Sequence, residues 1–212
     1  MNLQRFCLTV LFASGALLGF SQIDGLGDIP GSFNLKSSCN SSLIYPGARF
    51  GTEYLIKKID LAKSARSGKE KIIFKERLIS ANVSWYHHPN FHDNFYLTAG
   101  WTMRRTNKTG FFTEFSPEIG LSRTFLGGTT YKVDNTGNVS IKKFAGYYYA
   151  LLSVGGGVGY DFSQIKHKPF MLFYKFNLLS MYPYNSTIYL RPAMEIGLIY
   201  KLSHFQKSKP KV

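Results

Sequence analysis

The sequence predicts an all-β protein, an antiparallel up-and-down transmembrane β-barrel of eight strands. Three observations lead to this prediction. Apolar and polar residues alternate with a period of two over segments of about ten residues, which indicates strands and not helices. Aromatic residues make up 16% of the 212 residues, and 20 residues are glycine. The polar members of the alternating segments are mostly small, which suits the crowded interior of a narrow barrel.

The first 21 residues have the layout of a secretory signal peptide. Arg5 is followed by a mostly apolar run from Phe6 to Phe20, and small residues precede a cleavage site before Gln22. This run is short for a membrane-spanning helix. We therefore predict an exported chain of four parts, namely a signal peptide (1–21), a flexible N-terminal segment (22–42), the β-barrel (43–202) and a basic tail (203–212).

Seven alternating segments follow one another along the predicted barrel. Each has apolar side chains on one face and small or charged side chains on the other. They cover residues 47–57, 79–85, 95–104, 111–122, 148–161, 170–178 and 188–201. The second is shorter than the rest unless it begins upstream, in KIIFKERL. Several are separated by turn-like pieces, which read HHPNFHDN, RTNKTG, SQIKHK and MYPYNST.

The eighth strand is not assigned by the pattern. Bacterial single-chain barrels have an even number of strands, and closure removes the unpaired edges of a sheet. The missing strand could come from residues 32–43 or from residues 124–144. The second region could equally be a hairpin that prolongs its two neighbours, with DNTG as its turn. Strands of ~9–11 residues suffice to cross a membrane when they are tilted.

The apolar face is predicted to point outward, because aromatic residues lie near the segment ends, as in the girdles of membrane barrels. The opposite face carries charges of both signs. These charges could pair across a small lumen, where an isolated charge would be costly. They are Arg49, Glu53, Arg104, Glu114, Glu118, Lys175, Arg191 and Glu195. Alternation alone does not decide between the two faces, so a soluble periplasmic barrel that binds an apolar ligand is an alternative.

The segment YHHPNFHDNFY (86–96) holds three of the five histidines. His87, His92 and Asp93 have the side-chain types of a metal site. Pro89 disfavours helix at His88, and adjacent residues of a strand point to opposite faces, so only a looped-back turn could gather these ligands. We therefore predict a strand-joining loop at the barrel rim, with the metal site as the alternative, and we predict no cofactor.

No catalytic residue is predicted. A hydrolase needs a serine, a histidine and a carboxylate within reach of one another, and none of the serines lies in an elbow motif such as G-x-S-x-G. The candidates for such a set are Ser84, Ser116, Ser122, His92, His167, Glu114 and Glu118. A structural or binding protein is therefore predicted, with an outer-membrane enzyme that modifies lipid as the alternative.

The charge balance is strongly basic, with 26 Lys and Arg against 12 Asp and Glu. An exported chain rarely meets nucleic acid, so we predict no nucleic-acid partner. Phosphate-rich lipid surfaces fit the basic excess better. The predicted partners are thus outer-membrane lipid and, through the loops, another envelope protein or a glycan.

Several segments resemble known exported proteins. The signal peptide ending in FSQ, the strand YPGARFGTEY and the piece GVGYDFS resemble the small outer-membrane β-barrel proteins of Bacteroidota. The pieces YHHPNFHDNFYLT, RRTNKTGFFTEFSPEIG, SRTFLGGTTY and MYPYNSTIYLRP resemble uncharacterised exported proteins of that group. The resemblance implies a Gram-negative outer membrane as the location. It implies no activity, because such barrels include adhesins, assembly partners and lipid-modifying enzymes.

Overall fold

A computed structural model shows a closed antiparallel barrel of eight strands. It describes residues 31–42, 45–64, 70–89, 91–166, 168–184 and 187–202, so the predicted signal peptide and basic tail lie outside the described residues. The barrel strands are β1 (Phe33–Ser41), β2 (Gly47–Ser64), β3 (Glu70–His88), β4 (His92–Asn107), β5 (Phe111–Leu126), β8 (Tyr148–Asp161), β9 (Phe170–Tyr184) and β10 (Thr187–Lys201). Two further strands, β6 (Tyr131–Val133) and β7 (Val139–Ile141), form a separate hairpin, and a four-residue helix α1 (Ser163–Lys166) follows β8.

The strands follow one another around the barrel in chain order, and β1 closes the ring by pairing with both β2 and β10. The predicted eight-stranded up-and-down barrel is thereby confirmed. β3 begins at Glu70, upstream of the seven-residue segment (79–85) that the sequence pattern marked. No helix in the described part of the chain is both long and apolar enough to cross a membrane.

The barrel begins earlier than predicted. The predicted flexible segment (22–42) is wrong for residues 33–41, because they form β1. The missing eighth strand therefore lies within the first of the two regions named for it, residues 32–43. The strand is weakly marked in the sequence because its outward face changes from the apolar Phe33 and Leu35 to Ser37 and Cys39. Its inward face is polar throughout and is buried in the lumen, at Asn34, Lys36, Ser38 and Asn40.

Residues 124–144 do not supply the eighth strand. They include a hairpin, which was the other prediction for this region. β6 pairs with β7, and DNTG forms the turn between them, with Gly137 at a φ of 83°. The Asp134 carboxylate accepts hydrogen bonds from the Thr136 hydroxyl at 2.7 Å and from the Asn138 backbone N–H at 2.9 Å. These bonds favour the ionised form and hold the pKa of Asp134 below its ordinary range.

The outward face of the barrel is largely apolar. Ile119 and Leu121, near the middle of β5, are 65% and 67% exposed. Soluble monomers rarely expose a continuous apolar surface of this kind. The alternative of a soluble barrel with an apolar lumen is therefore wrong, because the apolar side chains face outward and the charged ones face inward.

Aromatic rings cluster at both ends of this apolar surface. Trp85 contacts Phe95 at one end, and Phe33 contacts Tyr54 at the other, with ring centroids 6.4 and 4.9 Å apart. Along β5, the 14 steps from Phe111 to Phe125 rise roughly 35 Å at a tilt of about 40°. That height matches a hydrocarbon core of about 30 Å with rings at its two interfaces. The barrel is transmembrane in its architecture.

The lumen is filled with side chains. An apolar cluster that includes Phe112 and Phe173 packs inside the barrel, and a second includes Tyr96 and Leu179. Glycines clear space for the larger groups. A Cβ at Gly159 would overlap the ring of Phe112 and the backbone oxygen of Leu172. Such an interior is a packed core, as expected for eight strands.

Candidate functional site: an aromatic pocket at the hairpin end

The eight charged residues predicted for the lumen are all buried inside the barrel. Arg104 binds the Glu53 and Glu114 carboxylates at 2.8 and 2.9 Å. Arg49 binds Glu118, and Glu118 also lies 3.7 Å from the ammonium group of Lys175. These contacts form one network across the lumen, and Lys36, which was not predicted as a member, joins it through Glu195 at 3.1 Å.

Arg191 stands apart from this network. Six cationic side chains are buried in the described residues, namely Lys36, Arg49, Arg104, Lys175, Arg191 and Lys201. Five of them lie within 4.0 Å of a carboxylate. Arg191 is 3% exposed, yet it makes no ion pair and donates no hydrogen bond within the described part of the chain. Its Nε and Nη1 atoms are enclosed without a hydrogen-bond partner.

Arg191 lies at the end of the barrel where the β3–β4 turn, the β9–β10 connection and the β6–β7 hairpin also lie. We call this the hairpin end. The guanidinium carbon of Arg191 sits 3.3 Å from the centre of the Tyr86 ring. An aromatic face attracts a cation through its quadrupole. The ring therefore supports the guanidinium from one side without neutralising its charge.

Tyr86 is itself held in place by a chain of hydrogen bonds. The Asn94 amide donates to the Tyr86 hydroxyl at 2.9 Å, and the Ser122 hydroxyl donates to the Asn94 side-chain oxygen at 2.7 Å. The Tyr86 hydroxyl also lies 3.5 Å from Nε2 of His92. Because Tyr86 and Asn94 are directly opposite in the β3–β4 ladder, both side chains enter the lumen at one level.

Two stacks of aromatic rings lie on either side of this level, at the mouth of the barrel. On one side Tyr45 stacks on His88 with centroids 4.1 Å apart, and His88 stacks on His92 at 5.2 Å. On the other side Tyr184 stacks on Tyr189 at 4.7 Å. His88 and His92 pair across the β3–β4 turn, so both rings point into the barrel mouth. These rings hence lie at three different connections between strands, β1–β2, β3–β4 and β9–β10.

These groups enclose a cavity of about 90 Å³. Its lining includes two histidines and one arginine but no carboxylate side chain, and it consists of Tyr45, Tyr86, His88, His92, Asn94, Thr124, Met181, Tyr184, Tyr189 and Arg191. The cavity is therefore a cationic, aromatic pocket at the mouth of a filled barrel.

The predicted metal ligands are not brought together. His87 and Asp93 point outward and contact each other, with Nδ1 2.8 Å from the carboxylate oxygen. His92 lies on the inward face, in the pocket. Within the residues that the structure describes, no group of three or more such side chains could hold a metal ion. The segment is a tight turn between β3 and β4, as the strand-joining interpretation predicted.

The candidate hydrolase residues are also separated. Glu114 and Glu118 are bound by Arg104 and Arg49 in the lumen, and Ser122 donates to Asn94. No serine hydroxyl in the described ranges donates to a histidine. His167 lies outside the described residues. The described lining of the pocket thus offers cationic, aromatic and hydrogen-bonding groups and contains no serine or cysteine.

Sequence reasoning identified Arg191 and His92 but missed the tyrosines and Asn94. A signal was present in the predicted turns. The piece HHPNFHDN is flanked by Tyr86 and Phe95, and the piece MYPYNST contains two tyrosines and is followed closely by Tyr189. Antiparallel strands bring every second turn to the same end of the barrel. Aromatic residues that flank alternate turns therefore converge.

Comparison with known proteins supports no family assignment. No family model matches the chain, and no curated protein matches it either. Solved structures similar to it include a de novo designed transmembrane β-barrel, with 11% identity, a TM-score of 0.42, and coverage of 84% of this chain and 100% of that one. Neisserial surface protein A has 12% identity and a TM-score of 0.39, over 81% and 95% of the two chains. Ail, the attachment invasion locus protein of Yersinia pestis, has 9% identity and a TM-score of 0.40, over 81% and 97%.

Proposed function

We propose that this chain is an outer-membrane β-barrel protein of the binding type, in which the barrel is the anchor and the pocket at the hairpin end is the ligand site. The observation that carries the proposal is the buried Arg191, which no carboxylate neutralises, at the mouth of a barrel that is otherwise filled. Outer-membrane lipid, a glycan or another envelope protein would supply the ligand.

The outer membrane is the location that the architecture favours. Closed barrels with an outward apolar belt satisfy all backbone hydrogen bonds inside a bilayer. The sequence segments that resemble small barrels of Bacteroidota, and the signal peptide predicted for residues 1–21, support the same location in a Gram-negative cell.

A binding role fits better than transport or catalysis. The ion-pair network and the two apolar clusters occupy the lumen, so the barrel offers no aqueous path for a solute. The enzyme alternative needs an activated nucleophile. Of the candidate serines, Ser122 donates to Asn94, and the hydroxyls of Ser84 and Ser116 are buried without a hydrogen-bond partner in the described structure. The pocket supplies a guanidinium group and aromatic rings, which are groups that bind a ligand.

The proposal is tested by locating the chain and measuring its conductance. We expect the mature chain in the outer-membrane fraction, as a detergent-resistant band whose gel mobility shifts on boiling. Reconstituted into planar bilayers, it should show no steady single-channel conductance. A chain that is soluble in the periplasm, or one that conducts ions through its own lumen, would contradict the proposal.

A further inference from the structure

We infer that the pocket at the hairpin end binds a small oxyanion, the phosphate or carboxylate end of its ligand, with Arg191 as the group that holds it. The inference rests on the proposed binding function and names the chemistry of the ligand. It follows from the charge of the pocket, the donors that point into it, and its size.

The charge of Arg191 is uncompensated in the described structure. An isolated buried charge is costly, and proteins usually pair it with a counter-ion. The other five buried cations each have a carboxylate within 4.0 Å. Arg191 has the ring of Tyr86 on one face and no anion. An oxyanion from outside would complete the pairing.

The donors of the pocket fit the same ligand. A guanidinium carries five N–H donors in a planar fork that matches carboxylate and phosphate oxygens. The Nε and Nη1 atoms of Arg191 are buried and have no hydrogen-bond partner in the described structure. His88 and His92 line the same cavity, whose described walls contain no carboxylate that would repel an anion.

The size of the cavity limits the ligand. The cavity measures about 90 Å³. Whole drug-sized ligands need about 300–1,000 Å³. The pocket therefore holds one acid group, while the stacked rings of Tyr184 and Tyr189 contact whatever atoms are joined to it.

A purely structural role for Arg191 is the competing explanation. In that case the contact with the Tyr86 ring stabilises the barrel mouth, and removing the guanidinium weakens the fold without altering any binding. Arg191→Met separates the two roles, because methionine keeps much of the volume and removes the charge and all donors.

The test uses the mature chain folded in detergent micelles, verified by its heat-shifted band, and calorimetric titration with inorganic phosphate and with acetate at constant ionic strength in chloride. We expect saturable binding of at least one of these anions. Arg191→Met should weaken that binding at least about tenfold, since charged hydrogen bonds are the main attraction. Lys132→Met is the matched control, because it removes one positive charge from the exposed hairpin outside the pocket and should leave binding unchanged.

A folded wild-type barrel that binds neither anion, or an Arg191→Met barrel that binds as the wild type does, would overturn the inference. These results differ from a failure of the proposed function, which would show as ion conductance or as a soluble chain. Repeating the phosphate titration in nanodiscs of phosphatidylcholine, with and without phosphatidic acid, assigns the source. If phosphatidic acid weakens phosphate binding, the site is supported and its ligand is a lipid headgroup. If the phosphate affinity is the same with and without phosphatidic acid, the site is supported and its ligand is a free anion.

Discussion

Arg104 and Arg191 are both buried guanidinium groups in the same lumen, and we predict that replacing Arg104 by methionine destabilises the barrel whereas replacing Arg191 does not. Arg104 lies between Glu53 and Glu114, at 2.8 and 2.9 Å, with Glu76 at 3.7 Å. Arg191 has no carboxylate partner in the described chain. The two substitutions remove the same atoms from sites of similar burial, so the difference between them isolates the effect of the partners.

The expected magnitudes follow from those contacts. Arg104→Met leaves buried carboxylates without their cation, and breaking a buried pair in this way costs about 3–5 kcal/mol. The equilibrium between the folded and unfolded barrel then shifts by roughly 10²–10⁴-fold, at about 1.4 kcal/mol per tenfold. Arg191→Met removes a charge that no described anion balances. We therefore expect its free energy of unfolding to equal that of the wild type within ~0.5 kcal/mol or to exceed it.

Urea unfolding in lipid vesicles, followed by the gel-mobility shift, measures both variants against the wild type. The midpoint for Arg104→Met should fall markedly, and that for Arg191→Met should stay or rise. Equal destabilisation of the two variants would refute the reasoning, because it would mean that Arg191 has a stabilising partner equivalent to the glutamates around Arg104.

Three further predictions test other parts of the structure. Gly159→Ala should destabilise the barrel by about 1–3 kcal/mol through overpacking, whereas Gly156→Ala, whose Cβ would meet nothing within 4 Å, should be neutral in the same urea assay. Ile119→Arg should cost about 2–4 kcal/mol if this side chain faces the bilayer midplane, while Ile141→Arg on the exposed hairpin should cost little. The pKa of Asp134 is depressed, so its contribution to the hairpin turn should be complete above the ordinary Asp pKa of about 3.9 and be lost as the pH falls through the lower folded value. A carboxyl carbon titration by NMR reads this value directly, and an ordinary pKa would disprove the hydrogen-bonded turn.

The sequence predicted the barrel well because each strand has two different environments. Alternation separated Ile119 and Leu121, which face outward, from Glu114 and Glu118, which face the lumen. It left β1 as one of two possible regions for the eighth strand, because the outward face of β1 includes Ser37, a small polar residue that the apolar pattern cannot mark. The pairing of β1 with β2 and with β10, which begins more than 140 residues later, identifies the strand.

The pocket could be predicted only in part, because it is assembled by connections that are distant in the chain. Tyr45 lies between β1 and β2 and Tyr189 lies in β10, so nothing local in the sequence relates them. The histidine segment drew attention to a metal site because its ligand types are right, but the strand alternation sends His87 and His92 to opposite faces. Arg191 looked like one lumen charge among eight, and only the distances show that it lacks a carboxylate partner.

The central claim, that the apolar face of this barrel contacts lipid, is tested most directly by spin labels at outward positions of three strands. Leu97, Ile119 and Leu152 are replaced one at a time by labelled cysteine in a Cys39→Ser background, with a label at Val139 on the exposed hairpin as the aqueous control. In lipid vesicles, we predict that dissolved oxygen relaxes the three barrel labels strongly and that a water-soluble nickel complex hardly does, with the reverse at Val139. Nickel access to the barrel labels equal to that at Val139 would contradict the account.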